Sequence, residues 1–480
     1  MALRRVGLRR VGFGRVLTVA IVLSAGAWSY GEDSLPADLR ETIDKAVPQI
    51  LKQTGAPGAS LAVVKDGKVA YTHAYGLAQL EPRRDATTEM RYAIGSVSKQ
   101  FTATAVLLLA EEGTLSLDDK VAKWLPALTR ADEVTIRQLL SMTAGYQDYW
   151  PQDYVFPKML DPVRPMQVLD EWARKPLDFE PGTRWQYSNT NYVAAGLIVE
   201  KASGMGLVEF LHKRVFDPLH MTSVFDTDRS ALPKEDPEGY LRYALGPLRP
   251  APKEGPGWIY AAGELAMTAR DLALWDISMI DQTVLKPASY GIMQSEMHLT
   301  DGAGTRYGLG VQVLSTDGHR TVMHSGEVSG FSARNAVYPD DRAAVVVLSN
   351  LDATSATGDI AARITPMLLK PATTARAAER PPAEAIDQAK QIFESLQKGR
   401  IDRSLFSSNA NAYFTDEAVK DFAASLGPLG TPRSFTGDSQ LLRGGMTLRH
   451  YTIRFEKKTV RAWTFTLSDG KLEQYMVAEE

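Results

Sequence analysis

The alternation of apolar and polar positions gives the first outline of the chain. Residues 59–64 and 68–75 are two apolar, β-prone runs on either side of Asp66-Gly67, a spacing that predicts an antiparallel hairpin. Residues 98–112 are apolar on nearly every side, contain strong helix formers and end at Gly113, which predicts a helix buried on all its faces. From 116 to 270 the pattern is mostly helical, with loops rich in Pro and aromatic residues. The clearest helical segments are 134–140, 166–174, 192–202, 207–215 and 269–279. Strand patterning returns at 308–314, 320–324, 331–338 and 343–349. The last two runs are joined by the turn sequence Pro339-Asp340-Asp341-Arg342, and 353–369 reads as a helix. Strands at both ends with helices between them predict an α+β fold. Its antiparallel sheet is assembled from the two ends, flanked by helices, with a helical subdomain inserted.

Residues 370–385 change character. Pro371, Thr373, Thr374, Pro381, Pro382 and several Ala replace bulky apolar residues, as in a linker between domains. Beyond it, helical patterns at 383–397 and 415–426 precede strand patterns at 434–442, 446–457, 459–467 and 471–477. Ser468-Asp469-Gly470 forms a hairpin turn between the last two. The expected organisation is a leader at 1–30, a main domain at 31–370, a linker at 371–384 and a small α+β domain at 385–480. Within that small domain the polar stretch 408–415, with Asn409 and Asn411, reads as a solvated loop that could also meet a ligand, as could Asp402.

The first thirty residues stand apart. Arg4, Arg5, Arg9, Arg10 and Arg15 precede the apolar run 16–27, which closes on Ser24-Ala25-Gly26-Ala27. A basic start, a short apolar middle and small residues are the layout of a secretory signal peptide; an uncleaved anchor is the alternative. The apolar run is shorter than the ~20 residues that span a bilayer. Removal of this leader takes five positive charges and no negative ones, so the net charge of -3 becomes -8. An acidic exported protein, periplasmic or secreted and without a stable membrane span, is expected. This charge does not suit a nucleic-acid binder. With Cys 0, disulfides, thiolate metal sites and a cysteine nucleophile are excluded. The His residues show no spacing for a zinc site, so neither metal nor organic cofactor is expected.

Three short motifs carry the chemistry. Ser96-Val97-Ser98-Lys99 opens the buried helix. Residues three apart share a helix face, so the Lys99 amine can sit beside the Ser96 hydroxyl. Burial disfavours a charged lysine, and a neutral amine can take the proton that makes serine a nucleophile. Backbone N–H groups at the helix start favour a developing oxyanion. The competing reading is a helix N-cap serine with a solvated lysine. Tyr187-Ser188-Asn189 lies between the turn Pro181-Gly182 and a helix. Tyr187 is either a proton shuttle or a packed ring, and Asn189 is either an amide contact to Lys99 or substrate, or a helix cap. His324-Ser325-Gly326 lies on a strand, where glycine lets a substrate backbone approach closely. The N–H of Glu327 can pair with that of Ser96 as an oxyanion hole. His324 is otherwise an ordinary strand histidine.

Serine, lysine, tyrosine and a strand motif in this order resemble the penicillin-recognising serine hydrolases, and most closely the class C β-lactamase-like group. D-alanyl-D-alanine carboxypeptidases, D-aminopeptidases and esterases are relatives of that group. Longer phrases carry the resemblance across residues 35–370: 96–113 with Ser116-Leu117-Asp118-Asp119, 139–145, 179–203, Phe216-Asp217-Pro218-Leu219, and Ala262-Gly263 leading to Asp271-Leu272-Ala273. The resemblance implies Ser96 as the acylated nucleophile and Lys99 and Tyr187 as acid/base groups. It implies that Asn189, His324, Ser325, Gly326 and Glu327 line the site. Two departures stand out. His324 replaces the Lys usual in β-lactamases and transpeptidases, which favours a peptidase or esterase; as a neutral imidazole it could still donate a hydrogen bond. Met142 stands where His is common. The small C-terminal domain resembles domains appended to some members, either as a cap over the active-site face or as a selector of substrate.

The expected function is an exported serine hydrolase acting through an acyl-enzyme on an ester, peptide or amide carbonyl. Substrates would be small molecules, peptides or esters, with peptidoglycan fragments among the candidates. The alternative is a penicillin-binding sensor or cell-wall binding module with little turnover; a non-catalytic scaffold fits the intact Ser-Lys-Tyr set poorly. Residues 146–157, 246–260 and the loop around Glu327 are expected to shape the substrate pocket.

Overall fold

A computed structural model describes residues 34–369, 380–443 and 446–479. The expected leader, and the expected linker up to residue 379, lie outside the described residues. The first helix, α1 (Ala37–Thr54), is additional to the expected elements. It buries Ile43, Ala46, Val47 and Leu51 on one face and ends at Gly55 in the left-handed region. Strands β1 (Gly58–Lys65) and β2 (Lys68–Gln79) form the predicted hairpin. Its two turn residues, Asp66 (φ 54°) and Gly67 (φ 72°), both take positive φ, as a tight two-residue turn requires. A short strand β3 (Arg84–Asp85) extends the edge. A single 3₁₀ turn, Gly95–Ser98, then leads into α2 (Lys99–Glu111), in which every residue from Lys99 to Leu109 is buried.

Between α2 and the returning strands lie α3 (Asn189–Ser203) and α4 (Ala269–Asp281). This middle region is less helical than its pattern predicts. Residues 141–188 hold two short helical segments, Pro157–Leu160 and Pro165–Trp172. Here buried carboxylates, not helical ladders, satisfy the loop backbone: Asp228 accepts from the N–H groups of Gly257 and Ile259, and Asp148 from that of Asn189.

The chain returns to the sheet through β4 (Gln312–Thr316), β5 (His319–Val328), β6 (Phe331–Tyr338) and β7 (Ala343–Ser349), followed by α5 (Ala356–Leu368). The order β3-β2-β1-β7-β6-β5-β4 joins both ends of the region, with Ala59 opposite Ser349. The expected strand at 308–314 starts later because the backbone there is pressed against its neighbours. A Cβ on Gly310, which has φ +74°, would lie 2.7 Å from the Lys99 carbonyl oxygen.

Both faces of this sheet are covered. In β1 and β7, Ala62, Val64, Val346 and Leu348 join the core shared with α2 and α4. Leu61, Val63, Val345 and Val347 join the cluster under α1 and α5. Strands buried on both faces read as continuous apolar runs, which is why they are clear in the sequence.

The C-terminal region contains α6 (Ala383–Gln397), a short helix Ser408–Tyr413 in place of the expected polar loop, and α7 (Asp416–Leu426). Strands β8 (Ser434–Arg443), β9 (Met446–Arg454), β10 (Thr459–Thr466) and β11 (Leu472–Glu479) form an antiparallel meander. Phe393, Leu396, Phe422 and Leu426 of the helices pack on Tyr451, Ile453, Val460 and Tyr475 of one face. The other face meets the main region. Asp153 accepts hydrogen bonds from Trp463 Nε1 (2.8 Å) and Gln474 Nε2 (3.0 Å), while its own N–H donates to Gln474 Oε1 (2.6 Å). Tyr154 donates to the Glu473 carbonyl and Gln152 to the Glu473 carboxylate. Among the described residues, no helix is long and apolar enough to cross a membrane.

Candidate active site

The 3₁₀ turn places Ser96 half-buried at the mouth of α2, and the first residue of the helix, Lys99, is wholly buried. Lys99 Nζ lies 3.0 Å from Ser96 Oγ, 2.8 Å from Asn189 Oδ1 and 2.7 Å from the Ala262 carbonyl oxygen. The Asn189 amide is held in one orientation. Its Nδ2 donates to Asp148 Oδ1 and to the Trp150 carbonyl, both at 3.1 Å, so its oxygen faces the amine. A neutral amine has two hydrogens and one lone pair. Asn189 Oδ1 and the Ala262 carbonyl are pure acceptors and can take both hydrogens, leaving the lone pair directed at Ser96 Oγ. The same atoms that bury a neutral lysine would thus aim its lone pair at the hydroxyl. This geometry excludes the reading of Lys99 as a solvated lysine.

Tyr187 lines the same cavity as Ser96, with its ring centroid 5.0 Å from Lys99 Nζ. The loop that carries it is fastened by Met142, the position noted above as unusual. Met142 is buried, and its Sδ accepts from the Ser188 N–H (3.4 Å) and faces Asn191 Nδ2 (3.9 Å). A thioether, a weak acceptor, stands here behind the Tyr-Ser-Asn segment.

The strand motif runs along an open edge. β4 pairs with β5 only as far as Gln312 opposite Met323, so from His324 onward that edge of β5 has no β4 partner. The strand passes tightly against the 3₁₀ turn. A Cβ on Gly326 would lie 1.9 Å from the Ile94 carbonyl oxygen and 3.2 Å from the Ser96 nitrogen; one on Gly95 would lie 2.7 Å from the Glu327 nitrogen. Glycine at both positions is what lets the Ser96 and Glu327 backbones converge. Ser325 is exposed on the strand, and Glu327 Oε1 accepts from the Ala353 N–H at 3.0 Å.

His324 departs from expectation. Both ring nitrogens are engaged: Nδ1 lies 2.5 Å from the Ser325 carbonyl oxygen and Nε2 lies 3.0 Å from the Tyr307 hydroxyl. The carbonyl can only accept, so Nδ1 carries the proton and Nε2 accepts from Tyr307. Burial pushes the imidazole down to about 3, so it is neutral. Its single N–H is already donated to the backbone, and the hydrogen bond to substrate expected above is not available in this arrangement. His324 fixes the strand edge instead.

These groups open into one cavity of about 650 Å³. As anticipated, its walls include Trp150, Tyr154, Pro157, Pro252, Ile259 and Glu327. Tyr413 comes from the stretch 408–415 read above as able to meet a ligand, and Leu441, Leu448, Arg461 and Met476 add walls from elsewhere in the C-terminal region. The sequence carried one signal for them. The face of the small sheet away from its helices bears Leu448, Phe465 and Met476, where a solvated face would be polar. Asn409 and Asn411, by contrast, are spent internally: Asn409 donates to Glu473, and Asn411 to the Arg403 and Phe406 carbonyls. Asp402 accepts from the Ser404 N–H.

Comparison with known proteins agrees with this geometry. The family described as Beta-lactamase matches residues 43–365. Penicillin-binding protein 4* of Bacillus subtilis is 30% identical over 305 residues, which cover 61% of this chain and 67% of that protein. A D-aminopeptidase of Brucella anthropi is 31% identical over 315 residues, covering 65% of this chain and 59% of its own. A D-stereospecific amidohydrolase from Streptomyces sp. superposes with a TM-score of 0.58 at 28% identity, over 67% of this chain and 96% of that one. The match thus spans little more than half to two thirds of the two sequence relatives' length.

Proposed function

Since the chain belongs to the β-lactamase family, we propose that it is an exported serine hydrolase that acts on amide or peptide carbonyls, with esters within the reach of the same chemistry. Ser96 Oγ attacks the carbonyl carbon while Lys99 Nζ, with Tyr187, takes its proton. The Ser96 and Glu327 N–H groups stabilise the oxyanion. Collapse of the tetrahedral species expels the amine or alcohol, which takes a proton from Tyr187 or Lys99 and leaves an acyl group on Ser96. Water then releases the acid by the reverse proton transfers. Asn189 and Ala262 act through Lys99 by holding its hydrogens. His324, neutral and internally bonded, keeps the strand edge in place.

The observation that carries this reading is the 3.0 Å approach of a wholly buried lysine amine to the Ser96 hydroxyl, with two carbonyl oxygens on its other side. Support for amide substrates comes from the D-aminopeptidase and amidohydrolase relatives, and the absence of a lysine at the first position of the strand motif favours a peptidase or esterase over a β-lactamase. Export rests on the basic, then apolar, then small-residue pattern of residues 1–30. The N-terminus of the mature protein, read after expression in a bacterium with a periplasm, tests it.

For the chemistry, the purified chain is assayed on short p-nitrophenyl esters, D-amino-acid amides, D-Ala-D-Ala peptides and a chromogenic cephalosporin, alongside a fluorophosphonate label. Steady hydrolysis of at least one substrate, with Ser96→Ala losing both turnover and label, is the expected result. A burst without turnover would instead favour a penicillin-binding sensor. Full labelling of Ser96→Ala would remove Ser96 from its role.

A further inference from the structure

The small C-terminal sheet presents its two faces to different surroundings. Tyr451, Ile453, Val460, Ala462, Tyr475 and Val477 point to its own helices. Successive residues of a strand alternate between faces, so Leu448, Arg461, Trp463, Gln474 and Met476 lie on the other side. Trp463 and Gln474 of that face grip Asp153, and Leu448, Arg461 and Met476 line the cavity that contains Ser96. The sheet is therefore a roof, held down beside the segment that runs back through Trp150 to Asn189.

A second observation concerns what the roof leaves uncovered. Among the described residues, the large hydrophobics with high exposure are Leu160 (54%), Leu441 (41%) and Ile292 (38%). Leu160, from the main region, and Leu441, from the roof, both line this one cavity, whereas Ile292 does not. Leu448 and Met476 add further apolar side chains to its lining. Two exposed leucines, one from each region, that both line a cavity of this size offer apolar surface to a ligand group.

Resting on the hydrolase reading above, we infer that the far face of the C-terminal sheet is a specificity surface: together with Leu160 it takes a hydrocarbon group of the substrate near the reacting carbonyl. Substrates with an aliphatic or aromatic side chain there outcompete those with a methyl group. Each fully buried methylene contributes about fourfold in rate, so the three extra methylenes of a butyl chain gain about sixtyfold over methyl when fully buried and roughly tenfold when half-buried.

The test uses the full chain and compares the second-order rates at which methyl, butyl and octyl phosphonofluoridates label Ser96, followed by intact mass. p-Nitrophenyl acetate, butyrate and octanoate provide the turnover counterpart. The expected result is a butyl-to-methyl ratio of about ten or more. It should fall toward one in the Leu160→Ser/Leu441→Ser double variant, whose exposed positions put little folding stability at stake. Ile292→Ser should leave the ratio at the wild-type value. Asp153→Ala, which loosens the roof, should lower the ratio in the same direction. A flat wild-type ratio, or a ratio unmoved in the double variant, overturns the inference while leaving the hydrolase reading intact. Failure of every probe to label Ser96 sinks the hydrolase reading and this inference with it.

Discussion

Asn189 lines the cavity from helix α3 and Lys99 stands behind it on α2; the surroundings of both helices are packed on every side, and the sheet behind them is buried on both faces. Leu441, Leu448 and Met476 reach the same cavity from a sheet that its own helices cover on one face only, and which is docked largely by polar contacts at Gln152, Asp153 and Tyr154. The floor is rigid because removing any part leaves a buried polar group without its partner. The apolar side chains of the roof, Leu441, Leu448 and Met476, can change without that penalty. Chemistry placed on the first and selectivity on the second is a division that variants can break.

The largest effect is expected at Asn189. Its amide oxygen takes one amine hydrogen, and its Nδ2 is locked to Asp148 and Trp150. Asn189→Ala leaves the Lys99 amine free to turn its lone pair away from Ser96. General-base contributions run about 10²–10⁴-fold, so the acylation rate should fall by about a hundredfold, with the butyl-to-methyl ratio unchanged. Stopped-flow acylation of Asn189→Ala checks this. If the variant alters the ratio and spares the rate, floor and roof are not separable.

A smaller effect concerns stability behind the floor. Asp276 on α4 is wholly buried; desolvation pushes its carboxyl up to about 8, against a hydrogen bond from Asn335 Nδ2 that pulls it down. Between about 4 and 8 the folded chain holds a proton there that the unfolded chain has released, so stability falls as pH rises through that window. Asp276→Asn cannot ionise in either state. Its melting temperature should exceed that of the wild type at pH 8 by clearly more than at pH 5. An equal difference at both pH values would mean that Asp276 is ionised in the fold. His324 acts on the opposite limb. With its folded value near 3 and its unfolded value near 6.5, its contribution is complete above about 6.5 and is lost as pH falls toward 3.

The floor was legible because its residues are close in sequence or sit in long patterned elements. Ser96 and Lys99 are one turn apart, and the buried strands are unbroken apolar runs. α1 was equally readable, with Ile43, Ala46, Val47 and Leu51 at helical spacing, but Pro48 interrupts the pattern without breaking the helix. The middle region was overestimated as helix. Side-chain carboxylates such as Asp148 and Asp228 satisfy its loop backbones, and which carboxylate does so depends on contacts far apart in the chain. The partners of His324 were hidden for the same reason, since Tyr307 lies seventeen residues before it and its own neighbour's carbonyl completes the pair. The roof was least legible. Alternation shows that a second face is apolar, but the partner of that face lies some three hundred residues earlier, at Asp153.

The smallest effect should come from a group that looks most like a catalytic residue. Glu264 follows the Ala262-Gly263 pair whose first carbonyl holds Lys99, it is buried to 1% exposure, and neither carboxyl oxygen has a hydrogen-bond partner. Burial pushes its pKa well above the carboxylate range, and Asp226 and Asp228 push in the same direction. Burial thus favours the neutral acid, a form that contributes shape and no charge. Glu264→Gln has that shape and that charge. Its acylation rate should stay within about twofold of the wild type, and the rate should keep its dependence on pH, because a neutral neighbour neither holds nor repels the proton of Lys99. A loss of tenfold or more in Glu264→Gln, recovered in Glu264→Asp, would show that a charged carboxylate stands beside the lysine. The floor would then work as an ion pair, not as a neutral amine held between two carbonyl oxygens.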